Sequence, residues 1–144
     1  MNKNVLVCIP SFDQKIYLQT ISSIINVRDA LAQAQIGCGM MWVRDSLITR
    51  ARNKLVSSFL EQKNFTHLFF IDADVVFKPE EFIKVLLFDK PISSAPYPLK
   101  NELKIEKGDA SQGYCINFPL GKYNLKDNDQ GFKKVDYAGT GFMC

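Results

Sequence analysis

His67-Leu68-Phe69-Phe70-Ile71-Asp72-Ala73-Asp74-Val75-Val76-Phe77 decides the reading of this chain. Four apolar residues run into two carboxylates set one residue apart. A short apolar run of this kind suits a strand buried on both faces, as in a parallel sheet. Open α/β sheets bind ligands outside the carboxyl ends of their strands, which is where Asp72 and Asp74 then stand. In extended chain, residues two apart point to the same side, roughly 7 Å apart at Cα. Two such carboxylates repel each other unless something positive lies between them. A hard divalent cation carrying a substrate phosphate meets that need, because magnesium-type ions take one or two protein carboxylates plus phosphate oxygens. The plainer alternative is an Asp that caps the turn after a buried strand.

Strand and helix patterns alternate on either side of this stretch. Val5-Leu6-Val7-Cys8-Ile9 reads as a first buried strand stopped by Pro10, with Ser11, Phe12 and Asp13 in the loop beyond it. From about Gln14 to Gln35 the pattern is helical, with Tyr17, Ile21, Ile24, Ile25 and Leu31 on one face, Asp13 as N-cap and Gly37 as stop. Met40-Met41-Trp42-Val43 is a second strand. Asp45 or Ser46 opens a second helix, whose apolar stripe is Leu47, Ile48, Ala51, Leu55, Phe59 and Leu60. Pro79-Glu80-Glu81 is a good first helical turn, since proline fits there and acids favour the positive end of the helix dipole. Ile92-Ser93-Ser94-Ala95 reads as a modest fourth strand. Strands alternating with helices over the first 95 or so residues argue a parallel α/β sheet. Beyond Lys100 the chain is polar and loop-like. Strand patterns then return at 114–118 and 132–137, which argues a mixed extension. Gly141-Phe142-Met143-Cys144 looks like the start of an apolar strand, so a further segment is expected after it.

Composition narrows the function classes. The chain has 144 residues, 47% of them hydrophobic and 23% charged, which suits one globular domain with a real core. A net charge of +3 carried by scattered basic residues argues against a nucleic-acid partner. With four dispersed cysteines and one histidine, a structural zinc site is not expected, and Cys8 reads as a core thiol. The apolar run before Pro10 is too short for a signal peptide or a membrane span, so a cytoplasmic location is expected.

Four segments then fall in one order: Ile9-Pro10-Ser11-Phe12, Arg50-Ala51-Arg52-Asn53, Phe70-Ile71-Asp72-Ala73-Asp74 and Tyr97-Pro98-Leu99-Lys100. Gly139-Thr140-Gly141-Phe142 closes the series. This order resembles the GT-A glycosyltransferases, and in particular the family 2-like sugar transferases of phages and large DNA viruses. The resemblance covers nearly the whole chain, and its specificity lies in order and spacing. It implies an α/β fold with a GT-A, Rossmann-like sheet and a mixed C-terminal extension. That would be one domain over 1–144, with the donor half at about 1–100 and the start of an acceptor half at about 101–144. It implies a metal-dependent enzyme moving a sugar from a nucleotide-diphosphate sugar to a glycan, lipid or protein acceptor, with inversion preferred. A viral member would act in the host cytoplasm.

Residue by residue, the resemblance assigns Pro10, Ser11, Phe12 and Asp13 to the base and ribose of the donor, and Arg52 and Asn53 to the nucleotide pocket. Asp72 lies toward the ribose, Asp74 ligates the metal, and both, with Ala73 between them, form the manganese or magnesium motif. Tyr97, Lys100, Gly139, Thr140 and Gly141 match segments near the donor sugar and acceptor. The chemistry agrees with these assignments. The departing diphosphate concentrates negative charge, which a divalent ion or fixed cations such as Arg52 and Lys100 can stabilise. Glycine in a Gly-Thr-Gly segment lets a sugar approach the backbone.

The sequence departs from the family in two places. An inverting transferase needs a carboxylate base. Asp136 is the nearest candidate, but Lys133-Lys134-Val135-Asp136-Tyr137 is not the family's usual signature, and a base beyond Cys144 is the alternative. The late histidine that often completes the metal site is also missing. Structural alternatives stand beside these roles: Arg52 as an ion-pair partner of Asp72 or Asp74, Arg50 as a solvated helix charge, Phe12 as a core residue, Tyr97 and Lys100 as structural, the glycines as a turn, and His67 as a strand-start residue. Two other function classes remain: a non-catalytic nucleotide-sugar-binding module, and a haloacid dehalogenase-type phosphatase, which also uses a strand ending in Asp-x-Asp but places it near the N-terminus.

Overall fold

A computed structural model of the chain describes residues 3–97, 116–117, 131–132, 134–135 and 137–144. The apolar run of the central stretch is a strand, β3 (His67–Ile71), and it lies inside a four-stranded sheet. On one side it pairs in parallel with β1 (Asn4–Ser11), from Val5↔His67 to Cys8↔Phe70. β1 pairs in parallel with β2 (Gly37–Arg44) along its full length, from Asn4↔Gly37 to Ser11↔Arg44. The other edge of β3 takes an antiparallel partner near the chain end, β6 (Phe142–Met143). The sheet is therefore mixed, in the order β2-β1-β3-β6, within an α/β chain.

Among the described residues three helices follow the strands: α1 (Leu18–Gln33), α2 (Ile48–Glu61) and α3 (Pro79–Leu87). Strand alternation divides the core between two faces. Leu6 and Cys8 of β1 pack with Leu55 of α2, and Met41, Val43, Leu68 and Phe70 surround them. Burial pushes the Cys8 thiol up to about 12, as befits an inert core cysteine. On the other face α1 packs against α3, and the centre there is aromatic. The Phe69 ring stacks on Phe82 with centroids 4.0 Å apart, and Phe142 meets Phe69 at 4.9 Å and Phe77 at 4.8 Å. Full burial of each such ring is worth about 1.5–3 kcal/mol. Phe142 thus ties the last strand to the centre of the sheet.

Several boundaries differ from the sequence expectation. Pro10 does not stop β1: it is buried within the strand and sits opposite Val43. The β3 partner ends at Cys8↔Phe70, so beyond it β1 has an open side on which a residue without an N–H costs no ladder bond. Helix α1 begins at Leu18 rather than near Gln14, because the Asp13 carboxylate accepts from the Lys15 N–H and Gln14 takes a positive φ of 64°. Its buried face is Thr20, Ser23, Ile24, Val27 and Leu31, while Tyr17 and Ile25 are exposed. Gly37 is the first residue of β2 and not a helix stop. Gln35, with φ 57°, makes the left-handed turn instead. Ile92–Ala95 forms no strand. Ser94 makes one isolated bridge to Met143, and the Ser93 and Cys144 backbones exchange hydrogen bonds of 2.8 Å.

Helix α3 starts where Pro79 and the two acids predict, and the Glu81 carboxylate accepts from the Lys78 N–H at 2.8 Å. Among the described residues no helix is long and apolar enough to cross a membrane. The chain divides into two compact units, Met1–Ala95 with Thr140–Cys144, and Pro96–Gly139. The second contains an antiparallel pair, β4 (Ile116–Asn117) with β5 (Tyr137–Ala138).

Candidate functional site

β1 and β3 lie side by side, and the chain leaves them toward α1 and α3 on one face of the sheet, while α2 covers the other. The carboxyl ends of these two strands are the position where open α/β sheets bind ligands. Asp72 is the first residue beyond β3. The extended geometry expected for Asp72 and Asp74 is not what forms. The Val75 N–H donates to the Asp72 carbonyl at 3.1 Å, so Asp72-Ala73-Asp74-Val75 is a tight turn. Aspartate suits the first position of such a turn. The turn is held from two sides. The Asp72 N–H donates to the Gly141 carbonyl at 2.8 Å, and the Ala73 carbonyl accepts from the Tyr17 N–H at 2.9 Å. The buried Ser23 hydroxyl accepts from the Phe77 N–H at 3.2 Å, which fixes the exit from the loop against α1.

Arg52 comes to this turn from α2. Its Nη2 donates to Asp72 Oδ1 at 2.7 Å, and both side chains are largely shielded, at 20% and 29% exposure. The guanidinium lies over the Phe70 ring, 5.7 Å from its centroid, which adds a cation–π contact. The Arg52 Nε is buried and has no hydrogen-bond partner among the described residues. An unmet buried donor costs about 1–3 kcal/mol, so this nitrogen is a place where an acceptor would be gained. Asp74 is half-buried in the same turn.

A second acid was missed as a site residue. Asp45, just past β2, has a side chain only 3% exposed. It accepts from Arg50 Nε and Nη2 at 2.6 Å each, from Lys54 Nζ at 3.0 Å and from the Leu47 N–H at 3.0 Å. Bonding to Arg50 above all, then to the Leu47 N–H and to Lys54, holds its carboxyl well below the usual carboxylate range. Asp45 and Arg50 line an open cleft of about 360 Å³ with Phe12, Asp13, Arg44 and Ser46. Arg50 is therefore an ion-pair partner and not a free helix charge. The signal in the sequence was Asp45 at the head of a helix, with Arg50 and Lys54 following at one-turn and two-turn reach.

The remaining expected residues are distributed as follows. Pro10 is buried, Ser11 ends β1 with its hydroxyl donating to the Lys15 carbonyl at 3.3 Å, and Asp13 pairs with Lys15 at 2.9 Å. Phe12 is 70% exposed and belongs to the cleft rather than to the core. Asn53 is exposed on α2. Thr140 is half-buried, and buried Gly141 supplies the carbonyl that anchors Asp72. Tyr97 and Gly139 are half-buried in the second unit. Lys100 and Asp136 lie outside the described residues. His67 opens β3 and bonds Thr66 Oγ1 and Lys3 Nζ at its amino end, away from the turn.

Among the described residues, no three His, Cys, Asp or Glu side chains gather as a metal centre. The two carboxylates in this turn are of the oxygen-donor type that hard divalent cations take, alongside phosphate oxygens and water. Compared with protein-family models, curated proteins and solved structures, the chain matches none.

Proposed function

We propose that this chain is a metal-dependent glycosyltransferase that moves a sugar from a nucleotide-diphosphate sugar to an acceptor hydroxyl, with inversion preferred. The observation that carries the reading is the Arg52–Asp72 pair, with Asp74 in the same turn, at the carboxyl end of an interior strand of an α/β sheet. Asp72 and Asp74 would hold a manganese or magnesium ion. Held there, such an ion would supply Lewis-acid stabilisation of the departing diphosphate.

The chain's own residues do the rest. Arg52 presents a fixed cation beside the carboxylates and stabilises the same developing charge. Gly141 and Tyr17 hold the backbone of the turn that carries the two acids. The exposed Phe12 ring at the mouth of the cleft offers a stacking surface to a planar base, and Ser11, Asp13 and Asn53 offer polar contacts to the nucleoside. In this reading Asp136 is the nearest candidate for the base that takes the acceptor proton, and the acceptor is a glycan, lipid or protein hydroxyl.

Calorimetric titration tests this with a panel of nucleoside diphosphates and their sugars, with and without manganese, on the wild type and Asp74→Ala. Metal-dependent binding that the substitution removes is the expected result, and the tightest ligand names the base. Binding without any turnover of the sugar would identify a non-catalytic module. No binding of any nucleotide in the presence of metal would defeat the donor-site reading.

A further inference from the structure

We infer that Arg52 competes with the divalent cation for Asp72, so that metal capture at this turn depends on a diphosphate arriving with it. The inference rests on the reading of Asp72 and Asp74 as metal carboxylates and adds a regulation to that site. Asp72 already carries a cationic partner, with Arg52 Nη2 2.7 Å from Oδ1. Without another acceptor, both groups are held in place. The backbone on the Asp72 side is pinned through its own N–H to Gly141 and through the Ala73 carbonyl to Tyr17. On the Arg52 side, the guanidinium lies on Phe70 with only a fifth of the side chain exposed. A metal ion reaching Asp72 must therefore displace Nη2 from Oδ1 or sit on the other oxygen with a guanidinium close by. Either the ion pair with Arg52 is lost or two positive groups share one carboxylate, and both costs weaken the metal in a site this shielded from water.

A diphosphate removes the conflict because it supplies oxygens for both cations. The Arg52 Nε is the observation that points to it: a buried donor with no acceptor among the described residues. Arginine binds phosphate through paired N–H groups, so a turn of the guanidinium toward phosphate would satisfy Nε and release Asp72 to the metal. Metal and diphosphate would then strengthen each other reciprocally. A free divalent ion alone would be held weakly, and an empty site would carry Arg52 as its resident counter-charge.

The competing view is that Arg52 merely scaffolds Asp72, and the two views predict opposite signs. Manganese alone is the probe, followed by the electron paramagnetic resonance signal of the free ion during titration into the full chain. Arg52→Gln and Arg52→Met remove the charge, and the methionine keeps an apolar stem against Phe70 should the glutamine variant fail to fold. Arg52→Lys keeps the charge. Competition predicts manganese binding on the order of tenfold tighter in the neutral variants than in wild type, and within about twofold of wild type in Arg52→Lys. It also predicts that manganese raises the melting temperature of the neutral variants more than that of wild type. Unchanged or weaker binding in both neutral variants, while Asp74→Ala still abolishes wild-type binding, overturns the competition and leaves the metal site standing. Absence of any Asp74-dependent manganese uptake in every variant overturns both.

Discussion

Two acids follow the two strands that flank β1, and α2 reaches both, yet they are in opposite states. Asp45 is 3% exposed and its carboxylate is saturated: two arginine nitrogens, a lysine and a backbone N–H all point at it. Asp72 is 29% exposed, and among the described residues Arg52 is the only side chain bonded to it. A saturated carboxylate has no lone pair left for a ligand, so Asp45 organises the start of α2 and the wall of a cleft. An undersaturated one beside a partly unmet arginine has bonding capacity to offer. A buried charge becomes structural when its bonds are complete and functional when they are not.

The largest effect expected from this contrast is on folding. Asp45→Ala strips the partner from Arg50 and Lys54 and the acceptor from the Leu47 N–H, and should lower the melting temperature by about 5–10 °C. Asp72→Ala should lower it by less than about half as much, and should remove manganese-dependent nucleotide binding instead. Differential scanning calorimetry and the nucleotide titration read the two separately. Equal melting losses, or undisturbed nucleotide binding in Asp72→Ala, would erase the distinction.

A smaller effect comes with acid. The folded-state pKa of Asp45 lies below its unfolded value, so the unfolded chain binds more protons in between, and stability rises with pH through that interval. The contribution is complete above the ordinary carboxylate pKa of about 4 and is lost as pH falls below it. The gap in urea midpoint between wild type and Asp45→Ala should thus stay constant from about pH 5 to 8 and narrow below about pH 4. A gap already closing at pH 6 would mean that Asp45 is not held in its charged form as described.

Legibility in the sequence tracked how local each signal was. Leu68 to Ile71 and Pro79-Glu80-Glu81 were readable because an apolar run and a helix-start triplet need only their neighbours. The face of α1 was misread because Thr20 and Ser23 are buried, and Ser23 earns its place by receiving the Phe77 N–H from another part of the chain. Pro10 read as a stop because its effect depends on which side of β1 is paired at that residue, and only the register with β3 answers that. Within the site, Asp72 and Asp74 stood out as a spaced pair, and an Arg52 ion pair at the sheet edge was foreseen as one alternative. The saturation of Asp45 was not foreseen, since donors that each look like ordinary surface charges converge only after α2 winds them onto one side.

By itself, the sequence determined that strands and helices alternate, that one apolar run ends in paired acids, and that α3 begins at a proline. These follow from periodicity, side-chain volume and capping, which act over a few residues. The tertiary structure alone decided that the acids lie in a turn rather than an extended strand, that Gly141 near the chain end anchors Asp72, and that Arg52 rather than solvent meets it. Each of those contacts joins residues from different elements, and sheet pairing and helix packing choose them from many combinations that local physics leaves equal in energy.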